Sequence, residues 1–352
     1  MRQKGVALLA VPPGPHMYYL LGWHPHVDER PCFLLLTGSD IALLVPVLNA
    51  TAVRAHVTLP TVTYTDADGP SQALGHLLET LAIPRSPKVL VDETMRFDHL
   101  DHLQRHLQQA TIASAAELLG SMRMRKDAGE LTALRANARM ADVAIQAAWR
   151  SLSVGMREVD VADVVAASFA EQGGRMYGAI VGSGPNSALP HHATGERRLQ
   201  AGDAIVIDVG ANALGYNSDI TRMSFIGQPD DAYIRVHDAV DRAVQAAVRA
   251  VWPGVRACDV DRTARRVIAE AGFGQYFTHR TGHGLGIQVH ELPYITETNE
   301  IPLEPGMTFS IEPGIYLPGR FGVRLEEIVV VQEGGAEVLS GLSREVFRVG
   351  AS

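Results

Sequence analysis

The residues best suited to chemistry in this chain are four carboxylates and one histidine in its C-terminal part. Carboxylates and imidazole are hard to borderline ligands, which suit Mn²⁺, Co²⁺, Zn²⁺ or Fe²⁺. Two such ions held close together activate a water molecule. The residue types therefore predict a hydrolase with a dinuclear metal centre. The five predicted ligands are Asp208, Asp219, His283, Glu312 and Glu326.

The first two carboxylates stand eleven residues apart, on either side of a predicted turn. A hairpin of that length returns Asp219 beside Asp208, and two close carboxylates repel unless a cation lies between them or one is protonated. Taken alone, Asp208 also fits a residue that starts a turn, because Gly210 and Asn212 follow it.

His283 lies in the sequence Gly-His-Gly-Leu-Gly, and glycine lets the backbone come close to a bound ion. A phosphate-binding loop is the competing interpretation, but no Lys-Ser/Thr pair follows and the spacing fits no dinucleotide motif. A helical pair of zinc ligands with His279 is disfavoured, since three glycines within five residues oppose a helix.

The last two carboxylates belong to strand-like segments. Glu312 ends the run 307–311, just before Pro313. The run 322–330 alternates in character, so Arg324 and Glu326 share one face while Glu327 lies on the other. Glu326 is therefore the predicted ligand, and Arg324 is placed to hold a ligand carboxylate.

Bulk composition excludes several classes of protein. With 352 residues the chain is long enough for two domains. A net charge of −8 without a strong basic cluster argues against nucleic-acid binding, and no apolar run reaches membrane-spanning length. The N-terminal apolar run is interpreted as a β-strand rather than a signal peptide. Cys32 and Cys258, far apart in sequence, predict free buried thiols in a reducing cytoplasm.

Two domains are predicted, at residues 1–122 and 123–352. The first alternates apolar strands with helical patterns, which predicts a small α/β domain. Asp127 and Glu130 predict a capping box that opens the first helix of the second domain. Strands are expected near the N-terminus and at 33–36, 41–45 and 89–91, and helices at 71–81 and through Leu100, Leu103 and Leu107.

An internal echo lies within the second domain. Segments 154–161 and 253–260 share Gly, Arg and Asp at matching positions, and in both a long helix precedes and an amphipathic helix follows. This indicates two related α/β halves with a site at their seam. Asp208 and Asp219 belong to the first half and the other three predicted ligands to the second.

Together these motifs resemble the pita-bread metallopeptidases, in particular the Xaa-Pro dipeptidase (prolidase) and Xaa-Pro aminopeptidase (aminopeptidase P) branch. The resemblance covers essentially the whole chain and is most specific in residues 191–326. It implies an α+β fold. A pita-bread (creatinase/aminopeptidase) catalytic domain with a pseudo-twofold and a six-stranded curved sheet would follow a smaller α/β creatinase-like N-terminal domain.

The resemblance also implies ligand roles. Asp208 would bind one ion through both oxygens, Asp219 and Glu326 would bridge the two ions, and His283 and Glu312 would hold the second. Mn²⁺ is the metal usual in the family, with Co²⁺ and Zn²⁺ also suited to these ligands.

The implied reaction is hydrolysis of an Xaa-Pro bond, releasing the N-terminal residue. Glu312 would move a proton from the water to the departing proline nitrogen. His191 rather than His192, with His279 and His290, would face the substrate. A cytoplasmic homodimer acting on small peptides, without nucleic-acid or membrane partners, is expected. The implied catalytic or substrate-binding residues are Glu312, His290, His191, His279, Arg30, Tyr294 and Arg324, with Thr221 supporting the ligands.

Substrate length is not decided by the ligands. Many dipeptidases of this branch place a cation shortly after the His-Glu-x-Pro motif to bind the substrate carboxylate, whereas this chain has Tyr294, which favours an aminopeptidase. Arg30 offers a cation from the N-terminal domain, or it pairs with Asp28, Glu29 or another acid. With the small size of the chain, the balance favours a dipeptidase, and the aminopeptidase is the alternative.

Other pita-bread proteins fit less well. Metal-free binding proteins and creatine hydrolases of this fold lose metal ligands, whereas all five are present here. Methionine aminopeptidases share the ligands but normally lack the N-terminal domain.

Overall fold

The structure, a computed structural model, describes residues 1–350, and contacts divide the chain after Arg123. One unit is Met1–Arg123 and the other begins at Met124. The sequence predicts this boundary one residue earlier, at 122. Within residues 1–350, no helix is both long enough and apolar enough to cross a membrane.

The first unit has a mixed sheet with helices in its connections. Across residues 1–123 the strands are β1 (Leu8–Val11), β2 (Phe33–Leu36), β3 (Ile41–Pro46), β4 (Thr61–Tyr64), β5 (Lys88–Val91) and β6 (Thr111–Ser114). The helices are α1 (Pro15–Leu21), α2 (Ala50–His56), α3 (Ser71–Thr80), α4 (Phe97–His106) and α5 (Ala116–Met124). The sheet order is β4-β3-β2-β1-β5-β6, in which β1 runs antiparallel to β2 and parallel to β5.

Strand β1 is central and buried on both faces. Leu8 and Ala10 join one apolar cluster, and Leu9 and Val11 join another. A strand covered on both sides is apolar throughout, which is why the N-terminal run lacks alternation. The predicted N-terminal strand is confirmed, as are the other strands and helices predicted in this unit, within a few residues.

The second unit contains four long helices and a larger set of strands. The helices are α6 (Ala128–Ser151), α7 (Glu158–Glu171), α8 (Asp231–Ala250) and α9 (Ala257–Glu270). The strands within residues 124–350 are β7 (Arg175–Ser183), β8 (Ala204–Ala213), β9 (Tyr216–Asn217), β10 (Ile220–Ile226), β11 (Gly282–Gly284), β12 (Glu291–Ile295), β13 (Thr308–Ile311), β14 (Gly314–Leu317), β15 (Phe321–Arg324), β16 (Glu327–Gln332), β17 (Gly335–Val338) and β18 (Phe347–Val349).

Helix α6 opens with the predicted capping box. The Asp127 carboxylate accepts from the Glu130 backbone N–H at 2.9 Å, and the Glu130 carboxylate accepts from the Asp127 N–H at 2.8 Å. Both donors lack a partner within the helix, so the reciprocal pair fixes where α6 begins.

The internal echo adopts the same local structure twice. Gly155 and Gly254 have positive φ of 86° and 85°, which favours glycine. The arginine two residues later is the N-cap residue of α7 in one copy and of α9 in the other. Each arginine pairs with the aspartate three residues beyond it. The repeated sequence therefore encodes a repeated turn and helix start.

The strands of the second unit divide where the predicted ligands lie. One sheet has the order β18-β10-β8-β7 with β9 beside β8, another has β12-β11-β13-β16-β17, and β14 pairs with β15 alone. Two-residue breaks at 218–219, 312–313 and 325–326 interrupt the strands. Pro313 has no N–H with which to continue a ladder. The single six-stranded sheet implied by the resemblance is thus divided, and Asp219, Glu312 and Glu326 each occupy a break.

The packing of each half fixes its strands. In the first half, Ala141, Ile145 and Ala148 of α6 lie on one helical face and pack with Ile205 and Ile207 of β8. The intervening β8 residues Ala204 and Val206 join the cluster that contains α8 and α9. Strand β8 is therefore buried on both faces. Cys32 and Cys258 are both buried free thiols, as predicted.

Arg222 is a fully buried cation that ties β10 to the break at 325–326. It pairs with Glu327 at 2.9 Å and donates to the backbone carbonyls of Glu326 and Leu342. Removing one partner of a buried ion pair leaves an uncompensated charge.

We expect Arg222→Met to lower the free energy of unfolding by about 3–5 kcal/mol, because Glu327 would keep a buried charge with a weaker partner set. Denaturant unfolding followed by circular dichroism measures this. Arg266→Met is the matched control, since Arg266 is 66% exposed and pairs with Glu270 on the surface. Equal, small effects of both substitutions would contradict a stabilising role for the buried Arg222–Glu327 pair.

Candidate functional site

Asp208 and Asp219 are brought together by the β8–β10 hairpin. Asp208 lies within β8 opposite Thr221 of β10, and Asp219 occupies the break just before β10. Their proximity has an electrostatic consequence: burial, reinforced by the charge of Asp208, raises the pKa of Asp219 well above the usual range. The hairpin thus forces together two like charges, of which Asp208 pairs with Arg324 and Asp219 has the raised pKa.

His283 and Glu312 meet on neighbouring strands of the other half. His283 is the middle residue of β11, and Glu312 follows β13 directly. The His283 Nε2 lies 3.1 Å from Glu312 Oε1 and 3.9 Å from Asp219 Oδ2. Glu312 Oε1 also accepts a hydrogen bond from Ser310 Oγ at 3.0 Å. Residues of both halves therefore converge on one point.

The glycines beside His283 serve strand packing. A Cβ on Gly282 would lie 1.8 Å from the Ser310 carbonyl oxygen, and one on Gly284 would lie 2.3 Å from the Leu292 carbonyl oxygen. Both distances are far inside van der Waals contact, so no side chain fits at either position. The sequence-based reason for these glycines, close approach to an ion, differs from the cause that the structure gives.

Glu326 and Glu327 point apart. Glu326 Oε2 accepts from Thr221 Oγ1 at 2.9 Å, whereas Glu327 pairs with Arg222 and Arg344. The other oxygen of Glu326 is buried and has no hydrogen-bond partner within residues 1–350. An unpartnered buried carboxylate oxygen is costly, and a cation is the group that satisfies it.

The cluster has the donor set of a metal site. Single ligand atoms of Asp219, His283 and Glu326 lie within 4.8 Å of one another. Burial and the charge of Asp219 raise the pKa of Glu326 well above its usual range. For Glu312, burial acts in the same direction, but the hydrogen bond and charge of His283 outweigh it and hold the pKa at about 2. Oxygen and imidazole donors gathered around an uncompensated negative charge fit divalent cations.

A second group of possible metal ligands lies in the first unit, but a hydrogen bond from an arginine makes its histidine unsuitable as a ligand. His16, Asp92 and Glu93 approach one another closely. However, Arg123 donates to His16 Nδ1 at 3.2 Å, so the ring proton must reside on Nε2, which then donates to Glu93 at 3.0 Å. Neither nitrogen offers a free lone pair, and this group is a hydrogen-bonded ion network.

One cavity of about 580 Å³ contains all five predicted ligands. Pockets that hold small molecules usually have volumes of roughly 300–1,000 Å³, and this cavity falls within that range. The predicted substrate-facing histidines also line it, as does Arg324. The lining includes Asp208, Asp219, His283, Glu312, Glu326, His191, His279, His290, Arg324, Tyr177 and Arg280.

The three predicted substrate histidines differ in their surroundings. The rings of His290 and His283 meet edge to face, with centroids 4.1 Å apart and an interplanar angle of 67°. Burial, helped by the positive charges of His283 and Arg280, lowers the pKa of His290 to about 4. Burial likewise lowers the pKa of His279. Both rings are therefore neutral near pH 7. His191 lines the cavity, whereas its neighbour His192 is bound by the buried carboxylate of Glu158 at 2.8 Å.

Arg324 connects several site residues. It donates to Asp208 Oδ2 at 2.5 Å, to the Tyr316 hydroxyl at 2.8 Å and to Thr221 Oγ1 at 3.3 Å. Tyr316 in turn lies 2.8 Å from His279 Nε2. These linked hydrogen bonds fix the orientations of an aspartate and a histidine that both line the cavity.

Sequence reasoning missed Tyr177, Tyr316 and Arg280. The Tyr177 hydroxyl donates to the Ser218 carbonyl oxygen at 2.7 Å. Although Tyr177 as a whole is 44% exposed, desolvation of this hydroxyl and the charges of Asp219 and Asp208 raise its pKa well above the usual range. A Cβ on Gly210 would lie 1.8 Å from this hydroxyl oxygen, so the small residue two positions after Asp208 was the available signal.

Two predicted substrate-binding residues outside the ligand set, Arg30 and Tyr294, have other neighbours. Arg30 forms a forked pair with Asp66 at 2.9 and 3.0 Å and a bond to Glu29 at 2.8 Å, which is the alternative that the sequence left open. Tyr294 is not among the residues that line the cavity; its ring lies 4.5 Å beneath the guanidinium of Arg280.

Comparison with known proteins places the chain in a family. Residues 132–333 match the model of metallopeptidase family M24, and residues 1–125 match that of the creatinase/prolidase N-terminal domain. A probable dipeptidase, PepE, of Mycobacterium tuberculosis is 38% identical over 99% of this chain and 93% of its own length. An Xaa-Pro dipeptidase of Pyrococcus horikoshii is 30% identical over 99% and 96%.

A solved structure shows the same fold. The prolidase of Thermococcus sibiricus superposes with a TM-score of 0.94 at 32% identity, covering 99% of this chain and 96% of that one. The superposition with this prolidase and the matches to the two family models together cover both units. The chain therefore belongs to metallopeptidase family M24, with a creatinase/prolidase N-terminal domain ahead of the peptidase domain.

Proposed function

We propose that this metallopeptidase hydrolyses Xaa-Pro dipeptides and releases the N-terminal residue. The observation that carries the proposal is the single cavity of about 580 Å³ lined by five ligand candidates and three histidines. Relatives named Xaa-Pro dipeptidase, at 30–32% identity over nearly the whole chain, support it. Aminopeptidase P, which acts on longer peptides, is the second candidate. The similarity of this chain to the solved structure of an X-Pro aminopeptidase, with a TM-score of 0.86, supports it.

Two divalent ions would be held by Asp208, Asp219, His283, Glu312 and Glu326. The unpartnered buried oxygen of Glu326 and the raised pKa values of Asp219 and Glu326 support their role as ligands. Mn²⁺ is proposed as the metal usual in the family, and four carboxylates with one imidazole also suit Co²⁺ or Zn²⁺. When bound, such ions supply a water that is deprotonated near neutral pH.

The remaining groups would orient and stabilise the substrate. Neutral His290 donates its ring N–H to the carbonyl oxygen that becomes negative during attack. His279, held by Tyr316, and His191 line the same cavity and limit where the peptide lies. Arg324 orients Asp208 through its 2.5 Å contact.

Glu312 would carry the proton. An Xaa-Pro bond has no N–H, so proline must leave as an amine that takes up a proton. The Glu312 carboxylate, held beside His283 at 3.1 Å, accepts the proton of the attacking water and passes it to the proline nitrogen. Ser310, bonded to the same carboxylate, fixes its direction.

We extend the proposal to the organisation of the protein. Residues 1–122 form the creatinase-like domain and 123–352 the catalytic domain, in a cytoplasmic homodimer. The sequence predicts Arg30 as a cation for the substrate carboxylate, and its present partner Asp66 competes for it. The buried free thiols of Cys32 and Cys258 are consistent with a reducing compartment.

Replacement of Glu312 tests the proton transfer. We expect Glu312→Gln to lower kcat on Ala-Pro at least about a hundredfold, since an amide cannot accept the proton. Steady-state kinetics and metal content by emission spectroscopy measure this together. Glu300→Gln, on an exposed residue, is the control. Near-normal turnover by a folded, metal-loaded Glu312→Gln enzyme would refute the role.

Metal removal tests the ligand set. Chelation should abolish hydrolysis, and a divalent ion at a hundredfold excess over its Kd should stabilise the fold by about 2.7 kcal/mol. Asp219→Asn should lose most of this gain while melting no lower than wild type without metal, because it removes a repelled buried charge. Thermal unfolding with and without Mn²⁺ measures both, with Asp163→Asn on the exposed side of α7 as control. Full activity after chelation would exclude a metal-dependent reaction.

Substrate length separates the two candidate functions. If the enzyme is a dipeptidase, we expect its kcat/KM for Ala-Pro to be at least about tenfold above that for Ala-Pro-Ala. Only in the dipeptide is the free carboxylate that of the proline itself. Coupled release of alanine, followed by chromatography, measures both substrates. A preference for the tripeptide would establish the aminopeptidase instead.

A further inference from the structure

Arg280 places a positive charge in the catalytic cavity. It lies three residues before His283 and lines the cavity beside His279 and His290. At most about 10 Å of chain can separate Arg280 from His283, while an extended dipeptide is about 7 Å long. A peptide held at the ligand cluster therefore has its far end within reach of this residue.

The guanidinium of Arg280 has no carboxylate partner. Within residues 1–350 it makes no ion pair and no side-chain hydrogen bond, and its recorded contact is with the face of the Tyr294 ring, 4.5 Å from the centroid. An aromatic face holds a guanidinium in place but leaves its N–H donors free. These donors are therefore available to an anion.

Tyr294 faces the same side as the ligand cluster. It is paired with His283 across the β11–β12 ladder, and residues that are opposite each other in an antiparallel pair project from the same face. The ring thus supports Arg280 on the side of the sheet where His283 contacts Glu312. Tyr294 occupies a position at which the sequence offered no cation, and its ring supports Arg280, which lies in the loop just before β11.

The other arginine of the cavity is already committed. Arg324 donates to Asp208, Tyr316 and Thr221, and these bonds use its fork. Arg280 and Arg324 are the arginines among the described residues that line the cavity. An incoming carboxylate would compete with Asp208 at Arg324 but would meet no competitor at Arg280.

We propose that Arg280, supported by the ring of Tyr294, binds the C-terminal carboxylate of the Xaa-Pro substrate. This inference rests on the proposed function and names the residue that selects dipeptides. A guanidinium matches a carboxylate with two parallel hydrogen bonds, and a charge-assisted pair in a partly dry cavity is strong. A longer peptide presents a neutral amide at that point and gains less from the contact.

The test compares a carboxylate with its uncharged counterpart. Ala-Pro and Ala-Pro-amide differ only in the group that Arg280 would bind. Arg280→Ala should lower kcat/KM for Ala-Pro about tenfold to a hundredfold, mainly through KM, and change Ala-Pro-amide less than threefold. Arg280→Lys should recover part of the loss, because it keeps the charge without the fork.

A matched arginine controls for loss of charge and of stacking. Arg320 stacks on Phe321 with 5.4 Å between guanidinium and ring centroid, is exposed and does not line the cavity. Arg320→Ala should leave the ratio of the two substrates unchanged. Arg30→Ala, measured in parallel, tests the competing cation. If Arg30→Ala removes the preference for carboxylate and Arg280→Ala does not, the inference is overturned.

Two further outcomes separate this inference from the proposed function. Equal losses on both substrates in Arg280→Ala would show a structural effect and refute carboxylate binding, although the enzyme would still be an Xaa-Pro peptidase. If wild-type enzyme cleaves neither substrate, the proposed function fails, and calorimetric titration of the uncleaved peptides decides about Arg280. Tighter binding of Ala-Pro than of its amide, lost in Arg280→Ala, would support the contact; its persistence would refute it.

Discussion

Like charges forced together are the constraint on which the catalytic unit depends. Asp208 and Asp219 come from one hairpin, and Glu312 and Glu326 from strands of the other half. Burial removes the water that would otherwise screen them, so the pKa values of Asp219 and Glu326 rise. Such a cluster persists only if the scaffold is stable enough to hold it and a cation compensates it.

The scaffold meets this demand with breaks in its strands and with buried arginines. Asp219, Glu312 and Glu326 each occupy a two-residue interruption, where side chains are free of the strict alternation of a ladder. Arg222 anchors the break at 325–326 from behind, and Arg324 holds Asp208 from within the cavity. The cations that support the ligands are thus separate from the ions that the ligands would bind.

The cavity combines groups of different charge. Carboxylates surround His283, and neutral His279 and His290 line the same cavity with Arg280, whose guanidinium has no ion-pair partner within residues 1–350. A zwitterionic dipeptide has a matching asymmetry, since it carries its own carboxylate beyond the scissile bond. Attraction at one end and chemistry at the other would orient it before reaction.

Sequence reasoning reached the ligand candidates because their chemistry is local. The eleven-residue step to Asp219, the alternation that separates Glu326 from Glu327, and the echo of Gly155 and Gly254 can all be read along the chain. The same local rules predicted the strands of the first unit and the start of α6. They failed for Tyr177, Tyr316 and Arg280, whose roles depend on partners distant in sequence.

By itself, the sequence determined the candidate ligands, their order and the repeated segments, because residue chemistry and short-range periodicity are properties of neighbouring residues. Only the tertiary structure decided which groups share a cavity, why glycines flank His283 and which cation is free. Arg30 and Arg280 look alike as residues. Asp66 occupies the first and the Tyr294 ring leaves the second open, and only folding creates that difference.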